Sequence, residues 1–448
     1  MNKRIRKNKR LEQGFRKFKQ DVRKLYPKTK SFKNISFYMF KQMRYLYEKP
    51  KYPETIRYFL DKEKSFSDTD ICFSSNIFEV PTIFSIRDNY NETCLFLKKF
   101  INSLHKQAFK DIYIDYKKCN EIDICASMCM DIILAEFIDY FEKMLKDRHT
   151  IKIDFIRPIN YEKHSIEKKL FSIGAYKTIK GFTKSYNNIE PFEIRIGNKD
   201  NNKIDEVREV HTTETVDYLI NCLKKLNRTL TPTAETNFYR VIGEVIQNAE
   251  EHSNTKYRYL IGYFEQSIDE HDNYGIFNLA ILNFGNTFYE TFKDAENPNK
   301  ETLKAMKNLS DKYTTKGLFK TKQFEEETLW TLYALQDGVT RMIDWQRGNG
   351  AIRFIESFLD LKGKIESDDI SKMVINSGHS HLIFDGFYKT VEMKRGEENF
   401  KMMTFNTSGD IEELPDDKYV KFEENYFPGT IISVKLKLDY ENTEKIDL

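Results

Sequence analysis

The chain has 448 residues, enough for about two or three domains, and at 40% hydrophobic with 35 Phe and 26 Tyr it can bury substantial cores. No apolar run approaches the ~20 residues of a membrane span, and no apolar stretch follows the charged N-terminus as a secretory leader would require, so the expected location is the cytoplasm. The net charge of +3 conceals a division, because residues 1–52 carry 18 Lys/Arg against 3 Asp/Glu and leave the remainder at −12.

That basic segment is the first predicted element. Lys3, Arg4, Arg6, Lys7, Lys9 and Arg10 open it. Arg16, Lys17, Lys19, Arg23 and Lys24 continue at helix-compatible spacing beside a stripe of Phe15, Phe18, Val22 and Leu25. Residues 1–70 thus read as basic and helical, interrupted by Pro50 and Pro53. Such a run suits an anionic partner, nucleic acid above all, held through phosphates. It suits equally a solubilising arm, or one that docks on the acidic remainder of the chain. No base-reading motif accompanies it.

From 71 to 200 strands and helices alternate. Residues 78–86 read as a strand, 92–107 as a helix and 111–116 as a strand. A long apolar helix covers 124–145, a strand covers 150–156 and is closed by Pro158, and a helix spans 162–175, ending near Gly174. This order implies an α/β layer with helices on a sheet. Cys125 and Cys129 are four apart in the apolar helix and read as buried thiols rather than a metal pair. The order of elements resembles STAS-like domains, the modules of sulfate transporters and anti-sigma-factor antagonists. The resemblance implies a protein partner bound at this domain. Phosphorylated antagonists place a Ser just after an Asp at the start of the long helix. Here Asp123 is followed by Ile124 and Cys125, and the nearest hydroxyl is Ser127, which argues against a phosphoswitch.

The polar stretch 197–203 reads as a linker, and a helix follows over 206–226. Pro232 then precedes a helix over 234–253, whose core stripe is Phe238, Val241, Ile242, Val245, Ile246 and Ala249. On a neighbouring face Arg240, Glu244, Asn248 and His252 recur at steps of four. Glu244 and Asn248 thus lie one turn apart on one face. An acid able to activate water beside a neutral oxygen ligand for a hard cation suits nucleotide hydrolysis with Mg²⁺.

Residues 257–265 and 274–284 read as two antiparallel strands, the second running into Gly285. A glycine at a strand end lets backbone approach a ligand, and the amide of Asn283 can pair with an adenine edge. Gly348 and Gly350 form a Gly-x-Gly turn that opens a helix, where backbone N–H groups suit phosphate oxygens. Gly429 and Thr430 start an alternating strand over 428–438. His379 and His381 share a strand face but lack an obvious third metal ligand.

This ordered set resembles the GHKL superfamily of gyrase, heat-shock chaperones of the ninety-kilodalton class, histidine kinases and MutL-type ATPases. The resemblance covers 205–448 and implies a Bergerat-type α/β (α+β) sandwich with a mixed sheet and a lid at about 287–347. It also implies ATP as ligand and Mg²⁺ as cofactor. Asn248 would ligate the metal and Glu244 would act as general base. Asn283 and Gly285 fall on the first glycine box, Gly348 and Gly350 on the second, and Gly429 and Thr430 on the final Gly-Thr element. Asn283 replaces the family's adenine-binding Asp, and Thr287 replaces the second glycine of the first box. The leading expectation is a slow Mg²⁺-dependent ATPase that acts as a conformational switch for a protein or nucleic-acid partner. A homodimer is one state the resemblance leaves open. Two alternatives stand beside it: a Ser/Thr protein kinase of the anti-sigma type, and a non-catalytic binding module with a vestigial nucleotide site.

Overall fold

The fold is laid out around one five-stranded sheet that contributes to a hydrophobic core on each face. A computed structural model describes residues 16, 54–59, 72–106, 112–146, 156–173, 186–251, 255–268, 273–293, 299–314, 324–339, 350–362, 368–395, 398–438 and 441–446. All but Arg16 and Glu54–Phe59 of the basic segment 1–70 lies outside these residues, as do His252 and Gly348. Among the described residues the chain is mixed α/β with several sheets, and no helix is long and apolar enough to cross a membrane.

In the N-terminal unit, α1 (Glu54–Phe59) precedes β1 (Ile77–Glu79) and β2 (Ile83–Phe84), and the order continues with α2 (Tyr90–Lys106), β3 (Ile112–Asp115), β4 (Glu121–Ile122), α3 (Ile124–Lys146), β5 (Ile156–Ile159) and α4 (His164–Ile173). Strands β1, β3 and β5 form a parallel sheet in that order, and β2 pairs in parallel with β4. The single strand expected over 78–86 is therefore two short strands, broken at Val80–Thr82, where Pro81 lacks the N–H a ladder needs. Pro158 lies inside β5 rather than closing a strand, opposite Ile114. The edge position of β5 makes this tolerable, since one side of an edge strand needs no donor. Asp123 caps α3: its Oδ1 accepts from the Ala126 N–H at 2.7 Å, and its Oδ2 accepts from Ser85 Oγ at 2.6 Å and the Arg87 N–H at 3.0 Å. Ser127 is buried beneath this cap. Cys125 and Cys129 are buried free thiols, and burial pushes both pKa values up.

The C-terminal unit begins with β6 (Ile189–Asn198), followed by α5 (Ile204–Lys224), β7 (Arg228–Leu230), α6 (Pro232–Glu251), β8 (Tyr257–Ile268) and β9 (Asn273–Phe284). Three helices come next, α7 (Phe288–Lys293), α8 (Lys300–Thr314) and α9 (Glu326–Ala334), and then α10 (Gly350–Leu361). The chain ends with β10 (Lys372–Phe384), β11 (Val391–Arg395), β12 (Glu398–Met402), β13 (Val420–Leu438) and β14 (Thr443–Lys445). The main sheet runs β10-β13-β9-β8-β6. Strand β6 falls within 71–200, yet it is hydrogen-bonded to β8 and belongs to this sheet. A mixed sheet was expected, but all four pairings are antiparallel. The reason lies in the strand order: β8 and β9 follow one another in the chain and run in opposite directions, and β13 is inserted between β9 and β10, antiparallel to both.

Alternate residues of β8 and β9 enter two different cores. Leu260, Phe264, Phe277, Leu279 and Ile281 join α5, α6 and α10 on one face. Tyr259, Ile261, Tyr263, Ala280, Leu282 and Phe284 join α1, α2 and α3 of the N-terminal unit on the other. The helix α6 starts where Thr231 caps it, its Oγ1 accepting from the Ala234 N–H at 3.3 Å with Pro232 in the first helical position. All six residues of its expected core stripe are buried.

Candidate functional site

The site is built where α6 crosses the sheet. Cross-strand partners on neighbouring strands point to the same face. Asn283 of β9 stands between Arg258 of β8 and Thr430 of β13, and Thr430 is in turn opposite Ser377 of β10. These four polar residues form one buried row across the sheet. Ser377 and Thr430 share a hydroxyl–hydroxyl bond of 2.9 Å, and Ser377 Oγ accepts from the Phe288 N–H at 3.0 Å.

Above the row, Asn248, Ala249, Ile281, Asn283, Phe288, Thr430 and Ile432 enclose a cavity of about 10 Å³. That is the space of a single water molecule. The amide nitrogens of Asn248 and Asn283 are both buried and have no hydrogen-bond partner among the described residues. A buried unsatisfied donor costs about 1–3 kcal/mol, and two meeting at one cavity mark a place where an acceptor belongs.

Glu244 is half-buried one turn before Asn248 on α6, outside the lining of the cavity. Gly350 is the first residue of α10, which packs along α6, and is likewise outside the lining. Gly348 lies outside the described residues. Gly429 has φ +147°, and a Cβ there would overlap the carbonyl oxygen of Asn283 and the Phe284 backbone. Only glycine lets β13 approach β9 this closely. Rather than starting the strand, Gly429 and Thr430 lie within β13, where the pairing to β10 shifts register between Ser377 and Gly378. Gly285 turns the chain out of β9 at φ +113°, its N–H donating to the Pro428 carbonyl at 3.0 Å.

Thr287 caps α7. Its Oγ1 accepts from the Glu290 N–H at 3.2 Å while Glu290 Oε2 accepts from the Thr287 N–H at 3.1 Å. This reciprocal box needs a hydroxyl, which accounts for a threonine where the GHKL resemblance calls for glycine. The box aims Phe288 into the cavity wall. Further bonds hold α7 in place: Tyr426 donates to Glu290 at 3.1 Å, and Tyr289 donates to Glu326 at 2.7 Å.

Sequence reasoning missed three features. Arg258 is 1% exposed; its Nε bonds Glu250 Oε1 at 2.6 Å, and its Nη2 lies 3.0 Å from His211 Nδ1. A guanidinium only donates, so that imidazole nitrogen accepts, and burial together with the Arg258 charge lowers the His211 pKa. Glu327 of α9 is the second. Burial pushes its pKa up to about 7, opposed by the His379 N–H that donates to its Oε1 at 2.8 Å. The third is Phe288, whose short helix carries no periodic signal. His379 and His381 are both engaged, the first with the Glu423 carbonyl at 2.8 Å and the second with Asn376 Oδ1 at 2.6 Å. Burial lowers the His381 pKa to about 3.

A roomier cleft of about 460 Å³ lies on the other face of the sheet, lined by Thr55, Glu136, Asp139, Ile196, Thr255, Tyr257, Tyr259 and Phe284. It contains none of the expected site residues, and the chemistry suggested by the motifs stays with the smaller cavity. No protein-family model, curated protein or solved structure matches this chain.

Proposed function

We propose that this chain binds a purine nucleoside triphosphate, ATP in the first instance, between α6 and the β9–β13 pair, and that it works as a slow nucleotide-driven switch of GHKL type with a STAS-like partner-binding unit. One observation carries this reading. Asn248 and Asn283, remote in sequence, bring two buried amides without partners to one cavity floored by Thr430. The residues suit Mg²⁺: the Asn248 amide oxygen is a hard neutral ligand, and a cation that keeps its waters and phosphates needs few protein donors. When bound, the ion would neutralise phosphate charge. Glu244, one turn away, would orient and deprotonate the attacking water.

A cavity of about 10 Å³ does not admit a purine, and Phe288 forms part of its wall. In this reading α7 moves as nucleotide binds, so the segment between the glycine boxes is the moving part that a partner senses. The closed cavity favours a second reading, a nucleotide fold kept only as a binding module.

Titration calorimetry with ATP and a non-hydrolysable analogue, with and without Mg²⁺, separates the two. Mg²⁺-dependent binding supports the first reading; absence of heat at millimolar ligand leaves the second. For hydrolysis, Glu244→Ala is expected to lower phosphate release by about 100-fold or more while ATP still binds. Unchanged turnover would remove Glu244 as the base.

A further inference from the structure

The basic segment 1–52 plays no part in the nucleotide reading. It carries 18 Lys/Arg against 3 Asp/Glu, while the rest of the chain stands at −12. Within it, Phe15, Phe18, Val22 and Leu25 are interleaved with Arg16, Lys17, Lys19, Arg23 and Lys24. The cleft of about 460 Å³ on the other face of the sheet has the complementary character. Glu136 and Asp139, about one turn apart on α3, form its acidic side, the first half-buried and the second exposed. Its apolar floor is Tyr259 and Phe284, in edge-on ring contact. Ile196, opposite Tyr259, and Tyr257 extend that floor and are 52% and 43% exposed. Single exposed apolar side chains are ordinary, but these continue a hydrophobic core into an open cleft. None of the described lining residues is cationic.

We propose that this cleft is the docking site for the chain's own basic segment, engaged through residues 15–25, whose apolar side chains cover Ile196 and Tyr257 while their neighbouring cations face Glu136 and Asp139. A space of this size takes a ligand or a few side chains, so a short stretch of chain fits where a folded domain does not. Long basic side chains can lay their stems over tyrosine rings and still bring the charge to a carboxylate. Thr55 lines the cleft and lies just beyond the end of the segment, so the segment departs from the rim of its own site. Such a tether gives an effective concentration on the order of millimolar. That is enough for contacts too weak to hold a detached peptide. Cations held here are withheld from phosphates, so the cleft and an anionic partner compete for the segment.

Two measurements on the full chain test this. Benzoylphenylalanine placed at Tyr257 and irradiated is expected to cross-link, within one chain, to a peptide from residues 15–25. A cross-link to a second copy, to other segments only, or to nothing overturns the proposal. Trypsin digestion at about 50 mM salt, where ion pairs are weakly screened, gives the second readout by mass spectrometry. Cutting after Arg16, Lys17, Lys19, Arg23 and Lys24 tracks the undocked population. Asp139→Lys combined with Tyr257→Ser is expected to speed this cutting by about tenfold or more. Raising salt to about 0.5 M should bring the wild type toward the variant. Phe15→Ser combined with Phe18→Ser leaves the cleft itself intact and should speed cutting by a similar factor, and it serves if the cleft variant fails to fold. Equal rates in wild type and variants at low salt overturn the proposal.

Discussion

Gly429 is fixed by what lies across from it. Its φ of +147° and the carbonyl of Asn283 leave no room for a Cβ. Gly429→Ala should therefore lower stability by about 2 kcal/mol or more, read as a drop in urea midpoint with an unchanged slope. This glycine was singled out in the sequence by its place beside an alternating strand and by the GHKL resemblance, whose final element is a Gly-Thr pair. Thr287 was legible only as a departure from a glycine. Its reason, the box with Glu290, depends on where α7 starts, and a six-residue helix gives no hydrophobic period from which to place that start. Glu244 and Asn248 were legible for the opposite reason, since they sit four apart in a twenty-residue helix with a clean apolar stripe.

At the scale of elements, α7 walls the cavity through Phe288, and α9 braces α7 through the Tyr289–Glu326 bond. Phe288→Ala removes a buried ring and should cost about 3 kcal/mol of stability. If α7 is the gate, the same variant should bind ATP more tightly than the wild type when both are titrated well below their melting temperatures. Weaker binding would mean that Phe288 supports the site instead of closing it. Glu327 makes a pH dependence. Burial raises its folded pKa to about 7 from 4.5, so the folded state holds the proton more tightly than the unfolded chain. The resulting stabilisation is complete below the unfolded value and fades as pH rises through about 7. Glu327→Gln keeps an acceptor for the His379 N–H and cannot ionise. Melting curves should show wild type losing on the order of 2 kcal/mol relative to this variant between pH 5 and pH 8. A constant difference across that range would rule the ionisation out. Nothing in the sequence signals this, because a glutamate in a charged segment reads as solvated until a tertiary neighbour buries it.

For the whole molecule, the sheet is shared. Tyr259, Ile261, Leu282, Phe284, Phe427 and Ile431 belong to the same core as the N-terminal helices. The Tyr90 hydroxyl donates to the Gly378 carbonyl at 2.8 Å, Asn91 donates to Glu423 at 2.7 Å, and Lys372 reaches Asp88 at 3.0 Å. Gly378 is also where the Glu327 carboxylate presses against β10. Helix α9 and the N-terminal unit thus meet at one irregular point of the strand. Residues 186–448 expressed alone should expose an apolar sheet face and aggregate, whereas the full chain should unfold in a single transition. A soluble, monomeric fragment with an independent melt would contradict the shared core.

The sequence by itself determined what depends on local order: the helix periods, the alternating strands, and the residue types at Glu244, Asn248, Asn283, Gly429 and Thr430 on which the nucleotide proposal rests. It also carried the alternation of β8 and β9, but not that both alternating sets are buried, because an apolar residue reads the same whichever core receives it. Only the tertiary structure decided that β6 joins the larger sheet, that every pairing in that sheet is antiparallel, and that Asn283 shares a row with Arg258, Thr430 and Ser377. These are contacts between segments far apart along the chain. They are set by which surfaces exclude water together, and no local pattern encodes that choice.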